Sequence, residues 1–134
     1  MHKLLYLILG AILISCSQSK MDNDSPSQIY GEWLLVNVSG GITGEIRNID
    51  TETDRQILVL TEDNTISYSH NNNLISRGKY RIEKRKSIYS DKPMDFIIYA
   101  DKKPPEVIIK FSGDTLGIAD NHYDGFTNIY VRKK

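Results

Sequence analysis

From Leu34 to Arg132 apolar side chains recur at every second position, and the alternation stops every few residues at Asn, Asp, Gly or Pro. A period of two puts alternate side chains on opposite faces of an extended strand, whereas a helix needs a period near 3.6. Val36 and Val38, Ile57 and Val59, Ile66 and Tyr68, Tyr80 and Ile82, Phe96 and Ile98, Val107 and Ile109, Leu116 and Ile118, and Ile129 and Val131 mark the successive runs. No segment of this part holds the helical spacing for more than two turns. Between the runs stand Asp63-Asn64, Asn71-Asn72-Asn73, Ser90-Asp91-Lys92-Pro93, Lys102-Lys103-Pro104-Pro105, Ser112-Gly113-Asp114 and Asp124-Gly125. Asn, Asp and Gly tolerate left-handed backbone and Pro cannot donate to a ladder, so each cluster predicts the end of a strand. About eight or nine short strands with tight connections predict an all-β antiparallel fold. Short sequential links favour an up-and-down meander, and closing it into a small barrel of about eight strands removes the exposed edges of an open sheet.

The N-terminal part reads differently. Met1-His2-Lys3 is a short cationic start, and Leu4 to Ile14 is almost wholly apolar. A helix of this length covers about half of a ~30 Å hydrocarbon core, so residues 1–15 read as a secretory signal peptide. Leu13-Ile14-Ser15-Cys16 resembles the bacterial lipobox, with a small residue before the Cys. The resemblance implies cleavage after Ser15 and diacylation of Cys16, the lipidation site, with acylation (a palmitate-type chain) of the new amino terminus. The competing reading is an ordinary signal peptide with a chance Cys. Cys16 is the only cysteine, so no intramolecular disulfide is available and no thiol is left for catalysis or a metal. Two or three acyl chains, at ~0.8 kcal/mol per buried methylene, make a lasting membrane anchor. Residues 16–28 carry a single apolar side chain after the Cys, Met21, and read as a flexible tether. Ser17, where Asp would favour inner-membrane retention in Gram-negative sorting, leans toward the outer membrane. Residues 29–134 form the expected barrel domain.

Within that domain Gly31-Glu32-Trp33 resembles the Gly-x-Trp motif of lipocalins, and Tyr130-Val131-Arg132 supplies the Arg that lies over that Trp in the family. Gly40-Gly41-Ile42-Thr43-Gly44, Gly78-Lys79-Tyr80, Gly113-Asp114-Thr115-Leu116 and Asp124-Gly125, in that order, extend the likeness from about Tyr30 to Arg132. The chain thus resembles small lipocalin-like lipoproteins of Bacteroidetes-type bacteria, a group generally of unknown function. The resemblance implies a lipocalin-like barrel, closed at one end by Gly31, Trp33 and Arg132 in a structural role. An indole with a guanidinium stacked on it suits that role physically.

No arrangement of residues has the spacing of a reaction centre. There is no Gly-x-Ser-x-Gly elbow, no phosphate loop and no dinucleotide fingerprint, and no enzyme is expected. Asp120, His122 and Asp124 alternate as metal ligands can, but they stand in a turn-like stretch. Asp50-Thr51-Glu52-Thr53-Asp54 lacks the Gly and distal Glu of a calcium loop. Neither metal nor cofactor is therefore expected. His70 falls at a loop mouth. The cations Lys79, Arg81, Lys84, Arg85 and Lys86 alternate at first with Tyr80 and Ile82, as on a solvent face, and end in what reads as a charged hairpin tip. With 17 basic and 17 acidic residues in balance, nucleic acid is not an expected partner. Tyr68, Tyr80, Tyr99 and Tyr130 either line a small cavity or fill it, since an eight-stranded barrel is wide enough for side chains or for one ligand. Two functions remain. One is a membrane-anchored binding module for a small apolar or amphipathic molecule. The other is a filled-barrel envelope protein acting through an unknown protein partner, with the long Gly40-to-Arg55 loop and the basic hairpin as its surface features.

Overall fold

The computed structural model describes residues 29–134, so the signal-peptide and tether segments and Cys16 lie outside the described residues. Nine strands follow one another: β1 (Gly31–Gly40), β2 (Glu45–Asn48), β3 (Gln56–Leu60), β4 (Thr65–His70), β5 (Asn73–Ser87), β6 (Ser90–Tyr99), β7 (Glu106–Ser112), β8 (Thr115–Asp120) and β9 (Phe126–Arg132). From β3 onward each strand pairs antiparallel with the next, and β9 returns to β1, which closes the sheet. β2 and β3 share one edge of β1. β3 pairs with Gly31 to Leu34 and β2 with Asn37 to Gly40. The wall therefore has eight strand positions, and the fold is an all-β, lipocalin-like up-and-down barrel. Such a closed sheet pairs most of its strand edges internally.

The period-two pattern decides which residues face inward. Trp33, Leu35, Leu58, Leu60, Ile66, Tyr80, Ile97, Tyr99, Leu116, Ile118 and Tyr130 pack together inside the barrel. A smaller cluster, Phe96, Ile98, Val107 and Ala119, has the opposite parity and so lies on the outer surface, with Met94 and Ile109 against it. The β5–β6 hairpin is fastened at its tip to the β8–β9 connection. Ser87 Oγ and the Ile88 N–H both donate to Asn121 Oδ1 (3.1 and 2.9 Å), and Tyr89 O–H donates to the Asp120 carbonyl (2.8 Å).

Three local expectations are corrected. The stretch from Gly40 to Arg55 is not all loop, because Glu45–Asn48 forms β2 on the free edge of β1. Ser90 to Pro93 is not a turn but the start of β6, and the hairpin turns earlier, where Ser87 pairs with Ser90. Consequently Lys84, Arg85 and Lys86 lie within β5 and not at a tip. Pro93 is tolerated in a strand because no ladder position falls on it. A register shift between Arg85 and Ser87 passes it on one side, and β7 pairs only with Phe96 and Ile97 on the other. The Asn71-Asn72 link is a two-residue hairpin turn with φ of 47° and 67°, the left-handed pair that such turns require.

Candidate ligand-binding site

The two ends of the barrel differ in construction. At the end where β1 begins, the Trp33 side chain is fully buried and Arg132 lies over its ring, 4.1 Å from guanidinium carbon to ring centroid. The Trp33 indole N–H donates to the Ile29 carbonyl (2.8 Å), and the Phe111 ring meets the indole edge-on at 6.2 Å. Arg132 also donates to the Tyr30 carbonyl (2.7 Å) and the Gly113 carbonyl (3.2 Å). The planar fork of Arg ties three backbone segments together while stacking on the ring, which Lys cannot do. Gly31 is required beside it: its φ is +133°, and a Cβ there would stand 2.6 Å from Arg132 Nη1.

Toward the opposite end the interior holds a cavity of about 490 Å3. Ile57, Ile66, Tyr68, Tyr99 and Tyr130 form its apolar and aromatic walls, and β5 lines it from Ile75 to Lys79. Its origin is legible on β5. Ser76 and Gly78 share the inward parity of Tyr80 and Ile82, but they are small. Nothing lies within 4 Å of where a Gly78 Cβ would stand. β6 ends at Tyr99, opposite Tyr80, so no strand continues the wall alongside Asn73 to Lys79. Of the four tyrosines singled out in the sequence, Tyr68, Tyr99 and Tyr130 stand on this cavity. Tyr80 is packed in the core away from it, with its hydroxyl 3.4 Å from the Thr61 carbonyl.

A polar cluster forms the cavity's inner side. Tyr99 O–H donates to the Glu106 carboxylate. The hydroxyls of Tyr68 and Tyr99 are 3.2 Å apart, and because the Tyr99 proton is engaged with Glu106, Tyr68 donates to Tyr99. Lys103 Nζ lies 3.0 Å from Glu106 Oε2 and over the Tyr99 and Tyr68 rings, at 4.2 and 5.1 Å. Glu106 is only 8% exposed, yet its charge is matched by an ammonium and a phenol, which is what keeps a buried carboxylate tolerable. Burial raises the Tyr68, Tyr99 and Tyr130 phenols above their ordinary range, with Glu106 adding to each, so all three are neutral hydrogen-bonding groups at pH 7. Burial works against the Lys103 ammonium, but Tyr68 and Glu106 outweigh it and the net shift is upward. Lys103 and Glu106 were not singled out by sequence reasoning. Their signal is faint: Glu106 is a lone acid with the inward parity of Ile108, and Lys103 sits in a Lys-Pro connection that resembles a solvated turn.

His70 lies on the cavity rim, its Nε2 2.9 Å from Asp54 Oδ1. His122 Nε2 is 3.8 Å from Asp120 Oδ2, and among the described residues no three His, Cys, Asp or Glu side chains gather as a metal site would require. Asp50 accepts from the Glu52 N–H (3.1 Å) and the Thr53 hydroxyl (2.9 Å), so it is spent on fixing its own turn. A second, more open groove of about 730 Å3 runs beside the β1–β2 hairpin, with Ile42 and Phe126 on its sides.

Fold and cavity together define the class, a small closed β-barrel with one plugged end and one hollow end. No family model, no curated protein and no solved structure matches the chain.

Proposed function

We propose that this chain is a membrane-anchored, lipocalin-like binding module whose cavity takes a small apolar or amphipathic molecule. The observation that carries the reading is the cavity, whose size falls within the few-hundred-Å3 range of small-ligand sites and whose apolar walls meet a few convergent polar groups. The aliphatic and tyrosine faces suit an apolar body. The Tyr68 and Tyr99 hydroxyls and Lys103 suit a polar end. On this reading the protein is not an enzyme and needs no cofactor. Anchorage rests on the lipobox-like Ser15-Cys16 after an apolar run, which supports lipidation of Cys16 and a place in the cell envelope, at the outer membrane by the Ser17 rule. The order of glycine and aromatic motifs supports kinship with the lipocalin-like lipoproteins.

The direct test is uptake of an environment-sensitive anilinonaphthalene-sulfonate dye by the purified chain. The expected result is saturable binding of one dye per chain, abolished by Gly78→Phe, which fills the cavity from a position with open space before it. Absence of saturable uptake, or unchanged uptake in a folded G78F protein, refutes the reading. Anchorage is tested separately with an alkyne-tagged palmitate fed to expressing cells, where label on the native protein and none on Cys16→Ala is expected. A second reading, an envelope protein acting through protein contacts, is favoured by the large apolar side chains left in solvent at the hollow end, with Ile42 93% and Tyr123 91% exposed.

A further inference from the structure

We propose that the free edge of β5, from Leu74 to Gly78, is a docking strand for an extended peptide of a partner protein, one whose residues alternate between apolar and acidic. The inference goes beyond the small-molecule reading, although one wall of the site is shared. Among the described residues, β4 covers one edge of Asn73 to Lys79 along its length, while β6 begins to cover the other edge only at Tyr80. The Tyr80 N–H donates to Asn64 on the β4 side. Strand alternation then turns the N–H and C=O of Lys79 and Arg77 toward the open edge. The Lys79 carbonyl is taken by the Ala100 N–H (2.9 Å), and both backbone groups of Arg77 are left available. An open edge of this kind is a template for strand addition, in which main-chain hydrogen bonds supply affinity and pockets for alternate side chains supply specificity.

The pocket is already in place. Ser76 and Gly78 face the cavity, so peptide residues lying beside them project into the same space. The outward residues of such a peptide lie beside Arg77. Among the described residues the Arg77 side chain makes no ion pair, whereas Lys79 is held by Asp63 and Arg81 by Glu83. Inward space with apolar walls and an outward unpaired cation select an apolar–acidic alternation. Leu74 and Ile75, 62% and 67% exposed on the same edge, extend the apolar contact. β2 is a short strand of four exposed residues, and the groove beside it opens outward past Ile42 and Phe126 and not into the barrel interior.

The test passes a pooled library of seven-residue peptides, acetylated and amidated, over the full chain and sequences what is retained. Enrichment of aliphatic or aromatic residues at alternate positions, with Asp or Glu between them, is expected. N-methylation of the peptide amides in one alternate register should weaken binding by about tenfold or more, and in the other register leave it unchanged. Gly78→Phe should abolish retention without loss of the folded state, and Arg77→Glu should switch selection from acidic to basic peptides while dye uptake persists. No enrichment, or enriched peptides indifferent to N-methylation and to R77E, overturns the proposal. So does a concentration-dependent dimer lost in R77E, which assigns the edge to a second copy. Binding that emerges only when residues 17–28 are deleted also overturns it, because the edge then belongs to the chain's own segment. Dye uptake without peptide selection removes the docking edge and leaves the ligand cavity standing, and the converse result removes only the ligand.

Discussion

Replacing Trp33 by Ala tests the plugged end of the barrel most directly. The indole is fully buried, and an aromatic side chain of this kind removes ~150–250 Å2 from water. At ~25 cal/mol per Å2 that burial is worth about 4–6 kcal/mol. Alanine retains a small part of it. The variant also leaves the Ile29 carbonyl without its indole donor and Arg132 without the ring beneath it, at ~1 kcal/mol for each interaction. Partial collapse of the site offsets some of this, and the expected loss is about 3–5 kcal/mol. A domain of this size has only ~5–15 kcal/mol to lose, so the midpoint of urea unfolding should fall sharply. Because Trp33 is the only Trp, far-UV circular dichroism and not fluorescence must follow both proteins. Trp33→Phe keeps much of the apolar contact and loses the indole N–H, so it should fall between wild type and Ala. A double-mutant cycle with Arg132→Leu should return a coupling of about 0.5–2 kcal/mol for the stacked pair. A W33A loss below about 1 kcal/mol refutes the plug.

Other consequences follow from the same geometry. Gly31→Ala drives a Cβ to within 2.6 Å of Arg132 Nη1 at φ +133° and should destabilise by about 1–3 kcal/mol in the same urea assay; an unchanged midpoint would show that Arg132 is free to move aside. Glu106→Ala leaves the buried Tyr99 hydroxyl without its acceptor, while Lys103 can turn to solvent, so a loss of about 1–3 kcal/mol is expected by thermal melting. Stability should be flat at neutral pH and fall on both sides. Burial raises the Tyr80 phenol from 10.0 to about 12, and Tyr68, Tyr99 and Tyr130 are raised too. The unfolded chain therefore ionises first as pH passes 10, and stability drops from there upward. Lys103 acts in the same direction, its contribution complete below 10.5 and lost as pH rises through its elevated value. On the acid side the Thr53 hydroxyl lowers Asp50, the Thr61 hydroxyl lowers Asp63, and Arg85 lowers Glu83. Their contributions are present above the ordinary 3.8 and 4.5 and fade as pH falls below them. Urea midpoints from pH 3 to 12 check this, and stability rising between pH 10 and 12 would contradict it.

Sequence alone makes the parity of the barrel legible. Ile57 opposes Leu58 and Ile97 opposes Ile98 across a strand, so the pattern assigns faces without knowledge of neighbours. It does not say that both faces of β6 are covered, and the outer cluster of Phe96 and Ile98 is therefore invisible until the hairpin tip is seen bound to Asn121. Pro93 misleads for a related reason. A proline argues against a strand only if its N–H is needed, and that depends on whether partners reach it. The cavity is hardest to foresee. Tyrosines at inward positions are readable, but whether they fill the barrel depends on where a neighbouring strand stops. The Lys-Pro-Pro connection after Tyr99 is readable locally as the end of β6. That β5 runs on from Asn73 to Lys79 without a partner on that edge is not, because it depends on the register of β5 against β6.

The unequal strand lengths give the two ends different work. β5 runs for 15 residues and β6 for 10. Their shared turn is fixed at one end, so the excess of β5 emerges at the other as uncovered edge beside uncovered interior. At the plugged end the opposite logic holds, because β9 reaches back along β1 to Trp33 and places Arg132 over the closure. Residues 1–28 join the barrel at Ile29, whose carbonyl accepts the Trp33 indole N–H, and hence at the plugged end. Under the proposed lipidation of Cys16, the anchor is connected to the plugged end. The open edge of β5, the cavity and the exposed Ile42 and Tyr123 belong to the end farther from the attachment point. On that proposal the dozen residues of the tether have a contour length of about 40 Å, and the hollow end is the one turned away from the attachment point.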